Sequence, residues 1–378
     1  MPLAIRRFER AADFSSAAID GFVDANTFPI VEGTSVTFVF RGGADHVTLQ
    51  HFVYGLPTSQ PFHRVADTDL WYLTLEFPRE SRLEYKINVE QGGHGQWIRD
   101  PLNDRLARDP FGANSVCTTD GYEVPDWVEP DPEASPGTLQ EIQVPSAAFG
   151  HTRPVTVYLP HRFRSWRRYP LLIVHDGPDF MRFAAFKTVL DNLIHRLEIA
   201  PMIVAMTHSN DRLNEYAADR RHAQFLAQDL VPHLEKHYPL TGTPATRALL
   251  GASFGAVASL SSAWYYPEMF DRLVLLSGSF AFTDIGEHTR SPAFDPVVDF
   301  VNAFREEPGA AASKVFVGCG VYESLIYENR SLVPILQQAG FDVKYSEDRD
   351  GHNWENWRDR LRDALSWVFP GPLWVVYE

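Results

Sequence analysis

The pentapeptide Gly251-Ala252-Ser253-Phe254-Gly255 sets a serine between two glycines in the pattern G-x-S-x-G. An apolar run, RALL, leads into it, and a segment of small residues, GAVASLSSAW, leads out. Strand, turn and helix in that order form the setting in which such a serine attacks a carbonyl carbon. The turn must be sharp enough to lift the hydroxyl clear of the sheet, so its neighbours must be small. The serine also falls at a helix start, where developing negative charge is favoured. The N–H of Phe254 then becomes one donor to an oxyanion. The implied chemistry is acyl transfer through a serine ester.

A serine hydroxyl needs a base. With this elbow, the partners follow in the chain order Ser, then Asp or Glu, then His. His352, in DGHNW, follows the strand-like run DVKYSED and precedes the amphipathic stretch NWENWRDRLRDALSWVF, which makes it the expected base. The acid should follow the strand-like run KVFVGCG, where Glu323 lies three residues after Gly320. Asp284, Glu328 and Asp350 remain alternatives. The second oxyanion donor should come from the loop after PLLIVHDG. Pro178 has no N–H to offer, which leaves Gly177 or Asp179.

Asn210, Asp211, Arg212 and Glu215 follow the apolar run MIVAMTH and so fall at the sheet rim where ligands bind in open α/β folds. Asn210, Arg212 and Glu215 are candidate substrate contacts, since an arginine pairs with phenolate or carboxylate groups. Arg182, Arg220 and Arg221 would enlarge a positive pocket, although Arg220 and Arg221 also suit a solvated helix face. His175 and Asp176 are adjacent, and adjacent side chains diverge, so a metal site is not expected. No cofactor is expected either. Trp354 and Trp357 share a helix side with Leu361 and Leu365 and read as core.

These residues must be held by a scaffold. From residue 138 onward, strand-like runs alternate with amphipathic stretches such as FKTVLDNLIHRL and FLAQDLVPHLEKHY. That rhythm predicts an α/β domain over 138–378, with a mostly parallel sheet covered on both faces. Before it, apolar residues alternate in Val36-Phe38-Phe40, Trp71-Leu73-Leu75-Phe77 and Leu83-Tyr85-Ile87-Val89. Period-2 placement with glycine turns between predicts a small β-sandwich over 1–125. The Pro-rich, acidic stretch between them, residues 126–137, reads as a linker.

The net charge of −15 disfavours nucleic acid and anionic membranes as partners. The two cysteines, Cys117 and Cys319, lie far apart and read as buried thiols rather than a disulfide framework. The N-terminus lacks the apolar run of a secretory signal, and no apolar stretch is long enough to span a bilayer, which predicts a cytoplasmic protein.

Taken together, HDGPDF (175–180), NDRLNEY (210–216), GASFG (251–255), LSGSF (276–280) and GHNWENWRDRL (351–361) resemble the enterochelin esterase group within the esterase D-like α/β-hydrolases. The resemblance extends into LEYKINV (83–89) and RDPLNDRLARDPFGANSV (99–116), which are similar to the sandwich domain those enzymes carry. It implies that Ser253 attacks an ester, that His352 is its base and that Glu323 is the acid. It implies iron-loaded catecholate siderophores as substrates and hence a small-molecule partner; the N-terminal domain either covers the active-site entrance or mediates contacts in a homodimer, and the sequence does not decide between these. The family's usual second glycine after the elbow is Ala256 here. Relatives on this fold cleave feruloyl and acetyl esters, and a non-catalytic ligand-binding member is the third alternative.

Overall fold

Strand burial shapes both parts of the chain in the computed structural model, which describes residues 2–283 and 290–372. The chain divides into two units. The first comprises 1–124 together with two later segments, 320–324 and 348–353. Sequence alone leaves those two segments inside 138–378.

The first unit opens with α1 (Ala4–Ala11) and α2 (Ser16–Asp24), the latter capped by the Ser15 hydroxyl, which accepts from the Ala18 N–H. Ten strands follow: β1 (Ile30–Glu32), β2 (Ser35–Arg41), β3 (His46–His51), β4 (Ser59–Pro61), β5 (His63–Arg64), β6 (Leu70–Glu76), β7 (Arg82–Gln91), β8 (His94–Ile98), β9 (Leu106–Asp109) and β10 (Gly112–Thr118). They form two antiparallel sheets, in the orders β1-β2-β6-β5 and β4-β3-β7-β10-β9, with β8 paired to β7. Val36, Phe38 and Phe40 of one sheet share a core with Leu49, Tyr85 and Ile87 of the other. The opposite face of the first sheet, Val39, Leu70 and Tyr72, packs with Ile5, Ile19 and Phe22 of the two helices. That second cluster explains why β2 is buried on both faces rather than alternating with solvent.

The second unit is built on one eight-stranded sheet. Its strands are β11 (Thr138–Ser146), β12 (His151–Leu159), β13 (Leu171–Val174), β14 (Ile203–Met206), β15 (Arg247–Ala252), β16 (Arg272–Leu276), β17 (Lys314–Gly320) and β18 (Asp342–Asp348), in the order β11-β12-β14-β13-β15-β16-β17-β18. The core from β14 to β17 is parallel, while β11 and β12 join antiparallel at one edge. Leu171, Ile173 and Leu249 face one core cluster, and Leu172, Val174 and Leu250 face the other. Both faces are therefore covered, as continuous apolar runs require.

Helices α3 (Gly177–Phe183), α4 (Phe186–His195), α5 (Arg212–Glu215), α6 (Arg220–Gln224), α7 (Val231–His237), α8 (Phe254–Tyr265), α9 (Asp295–Glu306), α10 (Ile326–Gln338) and α11 (Trp354–Val368) connect the strands. Trp357 lies in the core with Leu361 and Leu365, and Trp354 packs against that cluster. The segment 126–137 does not behave as a free linker. Val128 is buried, and the Asn192 side-chain amide donates to the carbonyls of Trp127 and Glu129 at 2.9 and 2.7 Å. An apolar anchor and a buried amide give this stretch partners that its proline content conceals.

Among the described residues, no helix is long and apolar enough to cross a membrane. Cys117 and Cys319 are buried free thiols.

Candidate active site

Strand order reverses at β13. The chain moves from β13 to β14 on one side and later to β15 on the other. In an open α/β sheet, the crevice beyond such a switch point is where ligands bind. Ser253 follows β15, and Asp176 and Gly177 come after β13, so both segments lie at that crevice.

Ser253 sits at φ 57° and ψ −121°, outside the comfortable range for a residue with a side chain. Its N–H donates to the Leu276 carbonyl at 2.9 Å, and its carbonyl accepts from the Ala256 N–H at 3.1 Å. The glycines explain how the turn closes. A Cβ on Gly251 would stand 2.1 Å from the Gly255 carbonyl oxygen, and one on Gly255 would stand 3.2 Å from the His175 Cβ. Ala256 is fully buried in the core. The close approach falls at Gly251 and Gly255, so the Ala256 methyl is accommodated. The Ser253 hydroxyl lies 3.1 Å from the Ser279 hydroxyl, a neighbour that sequence reasoning passed over although LSGSF contains it. Phe254 is the first residue of α8, and its N–H is among the helix-start donors that lack an intrahelical acceptor.

In the loop after β13 both candidate oxyanion amides have backbone acceptors. The Gly177 N–H donates to the Thr207 carbonyl at 2.8 Å, and the Asp179 N–H donates to the Asp176 carbonyl at 3.0 Å. Both amides are engaged in this arrangement because β14 lies beside β13 and α3 begins at once. Burial, followed by the neighbouring Asp176 charge, raises the Asp179 carboxyl above its ordinary range.

His352 and Glu323 both belong to the first unit. The imidazole Nδ1 lies 2.7 Å from Glu323 Oε2, and Glu323 Oε1 accepts the Gly320 N–H at 2.8 Å. The carboxylate side chain is fully buried, whereas the imidazole is 38% exposed. With Nδ1–H donated to the carboxylate, Nε2 is left as the basic nitrogen. Of the alternative acids, Asp350 faces Arg82 at 3.2 Å and Glu328 pairs with Arg290. Asp284 lies outside the described residues. Burial pushes the Asp350 carboxyl up to about 7, against the pull of the Arg82 charge.

At the rim, Arg212 pairs with Asp176. Its Nε donates to both oxygens of Asp176 at 3.1 and 3.0 Å, and Nη2 donates to the Ala252 carbonyl at 3.3 Å, one residue before the serine. The guanidinium keeps 38% exposure. Glu215 is instead buried, 2.7 Å from Arg153 Nη2, and it accepts from the backbone N–H groups of Asn210 and Asp211. It braces the loop and is not open to a ligand. Asn210 is exposed. Arg220 lies over the Tyr265 ring, Arg182 over the Phe183 ring, and Arg221 pairs with Asp219.

Beneath the elbow, His175 is fully buried. Its Nδ1 lies 3.1 Å from the Leu250 carbonyl, and its Nε2 lies 3.0 Å from His222 Nε2. Burial pushes the His175 imidazole down to about 4, and His222 is also held well below its ordinary value by burial. Two histidines far apart in sequence thus form a neutral structural pair. Among the described residues, no group of three or more His, Cys, Asp or Glu side chains could hold a metal ion.

Strand–elbow–helix geometry on such a sheet defines a hydrolase class, and comparison with known proteins gives the family. The chain belongs to the esterase family whose model, described as "Putative esterase", matches residues 146–368. It is 22% identical over 369 residues to the iron(III) enterobactin esterase of Escherichia coli O6:H1, covering 87% of this chain and 90% of that protein. It is 25% identical over 321 residues to an endo-1,4-beta-xylanase/feruloyl esterase of Xylanibacter ruminicola, covering 79% of this chain but 40% of that protein. Among solved structures, the ferric enterobactin esterase of Salmonella typhimurium superposes with a TM-score of 0.73 at 20% identity, covering 88% of this chain and 93% of that one. A ferulic acid esterase superposes with a TM-score of 0.55 at 22% identity, covering 62% of this chain and 98% of that one.

Proposed function

We propose that the protein is a serine carboxylesterase in which Ser253 is the nucleophile, His352 the base and Glu323 the residue that orients it. The observation that carries this reading is the strained Ser253 elbow at the switch point of the sheet. The imidazole–carboxylate pair, on the loops after β18 and β17, supports it. In the first step Ser253 Oγ bonds to the ester carbonyl carbon and its proton passes to His352 Nε2. Glu323 holds the Nδ1–H and stabilises the imidazolium by charge. The carbonyl oxygen becomes an oxyanion facing the Phe254 N–H at the start of α8. Collapse breaks the carbon–oxygen bond to the alcohol, which leaves with the proton from His352. A water molecule then gives a proton to His352 and attacks the acyl-enzyme, and Ser253 recovers its proton as the acid departs. One water is consumed for each ester cleaved.

For the substrate, we propose esters of catecholate siderophores, free or iron-loaded. The support is coverage. Relatives named as enterobactin esterases cover 87% and 88% of the chain, against 79% for the feruloyl esterase relative and 62% for the ferulic acid esterase structure. The 1–124 region would then be the sandwich domain of such an esterase, and Arg212, partly exposed beside the residue preceding Ser253, would meet phenolate or carboxylate groups. Feruloyl and acetyl esters are the second reading, favoured by the feruloyl esterase relative.

Product masses from ferric enterobactin, iron-free enterobactin, feruloyl sugar and acetyl sugar esters, with wild type and Ser253→Ala, test both layers. Trilactone opening by wild type alone supports the reading. Turnover confined to feruloyl or acetyl esters replaces the substrate. Full activity in Ser253→Ala removes the mechanism.

A further inference from the structure

The loops that carry Glu323 and His352 are held from β7. Arg82 on that strand is 1% exposed. Its Nη1 lies 3.2 and 3.3 Å from the two oxygens of Asp350 and 3.1 Å from Asn353 Oδ1, and its backbone N–H donates to the Arg349 carbonyl at 2.8 Å. Nη2 donates to Glu84 at 3.0 Å. Asp350 in turn accepts the Gly351 N–H at 2.6 Å and the Asn353 side-chain amide at 2.7 Å. Residues on both sides of His352 are therefore tied to one guanidinium.

The network continues into the Glu323 loop. The Tyr322 N–H donates to the Asp350 carbonyl at 3.1 Å, and the Val321 N–H donates to the Asp348 carbonyl at 2.8 Å. The Tyr322 hydroxyl lies 2.5 Å from the Ser81 hydroxyl, and its carbonyl accepts the Tyr54 N–H at 2.8 Å. Ser81 and Arg82 are consecutive, so one point on β7 and the residue before it grip both loops.

Loops are mobile unless tied down, and a base must be held within a fraction of an ångström of its productive position. The His352 ring is 38% exposed, so packing alone restrains it weakly. A buried guanidinium fork is rigid and directional. We propose that Arg82 is a positioning residue for the hydrolysis, fixing the His352 loop through Asp350 and Asn353 and, with Ser81, the Glu323 loop through Tyr322. This rests on the triad reading above. It gives the N-terminal region a catalytic consequence separate from substrate recognition.

The test uses the full chain and p-nitrophenyl butyrate, with kcat and KM measured separately and fluorophosphonate labelling of Ser253 timed in parallel. The variants are Arg82→Lys, Arg82→Met, Arg82→Met/Asp350→Leu and Ser253→Ala. The double variant matters because Arg82→Met alone strands a buried carboxylate and can unfold the protein. Arg82→Lys keeps the charge but loses the fork. A misplacement of about 1 Å costs on the order of 100-fold. The folded double variant should therefore lose about 100-fold in kcat and in labelling rate, with KM within about twofold. Arg82→Lys should lose about 10-fold. Wild-type kcat in Arg82→Lys or in the folded double variant overturns the proposal and leaves the triad reading standing. Full activity in Ser253→Ala overturns the triad reading itself.

Discussion

Replacing Glu323 by glutamine is the sharpest test of the His352 assignment, because it changes almost nothing except the pattern of donors. Among the carboxylate's contacts are Oε1 to the Gly320 N–H at 2.8 Å and Oε2 to His352 Nδ1 at 2.7 Å. Glutamine has one oxygen and one amide nitrogen. The oxygen must stay on the Gly320 N–H, since two donors cannot face each other in a fully buried position. The amide nitrogen then faces Nδ1 and donates to it. The imidazole is forced into the tautomer that carries its proton on Nε2, and the lone pair needed to accept from Ser253 is lost. Wrong-tautomer substitutions in serine hydrolases cost about 10⁴ in kcat, which is about 5.5 kcal/mol of barrier. KM should move less than about threefold, since neither atom is proposed to touch the substrate. Stopped-flow or steady-state turnover of p-nitrophenyl butyrate gives both constants, and thermal melting checks folding. A folded Glu323→Gln protein retaining more than a tenth of wild-type kcat would refute the orientation argument and reopen Asp350 or Asp284 as the acid.

Gly251→Ala should abolish the elbow rather than tune it. The new methyl would stand 2.1 Å from the Gly255 carbonyl oxygen and 2.2 Å from its carbon, both backbone atoms that cannot rotate away. A loss of at least about 3 kcal/mol in urea unfolding, or no soluble protein, is expected, and a stable, active variant would contradict the close strand–helix approach. The His175–His222 pair should make the protein acid-sensitive. Both folded-state values are depressed, His175 to about 4, so their contribution is complete above the unfolded value and is lost as pH falls through the folded one. For His175 alone the loss between pH 6.5 and 4 is about 3 kcal/mol. Urea midpoints across that range should fall steeply, and His222→Gln, which retains a donor to His175 but no titrating ring, should flatten the slope by about one proton.

The parts legible in the sequence are those fixed by local chemistry. GASFG could be read because the elbow, its approach glycines and its flanking strand and helix are contiguous. The parallel core could be read because strands buried on both faces are continuously apolar, as in LLIV and RLVLL. The tertiary pairings could not. Arg82 and Asp350 are 268 positions apart, and nothing near either announces the other. Glu215 follows MIVAMTH as Arg212 does, and sequence position alone does not separate the buried side chain from the partly exposed one. On the single turn of α5 the two side chains part, one to Arg153 and the other to Asp176. The partner of the Gly177 N–H is hidden in the same way. The absence of an N–H on Pro178 is a covalent fact, but the engagement of the Gly177 N–H by Thr207 depends on β14 pairing with β13. The helices α1 and α2 escaped because each is short, and the apolar positions they cover lie on β2 and β6.

The constraints on the proposed triad differ in kind, and that difference bears on which residues tolerate change. Ser253 is fixed by backbone strain and the close approach at Gly251 and Gly255, which fail all at once. Glu323 is fixed by full burial and two short hydrogen bonds, which fail by donor mismatch. His352 is partly exposed, and its loop is held by a polar network of several hydrogen bonds, so a change that removes one of them leaves others in place. Substitutions should therefore act as switches at the serine elbow and as graded controls at Arg82, Asn353 and Tyr322. A Tyr322→Phe variant that changes kcat by a small factor, while Gly251→Ala removes it, would follow directly from that asymmetry.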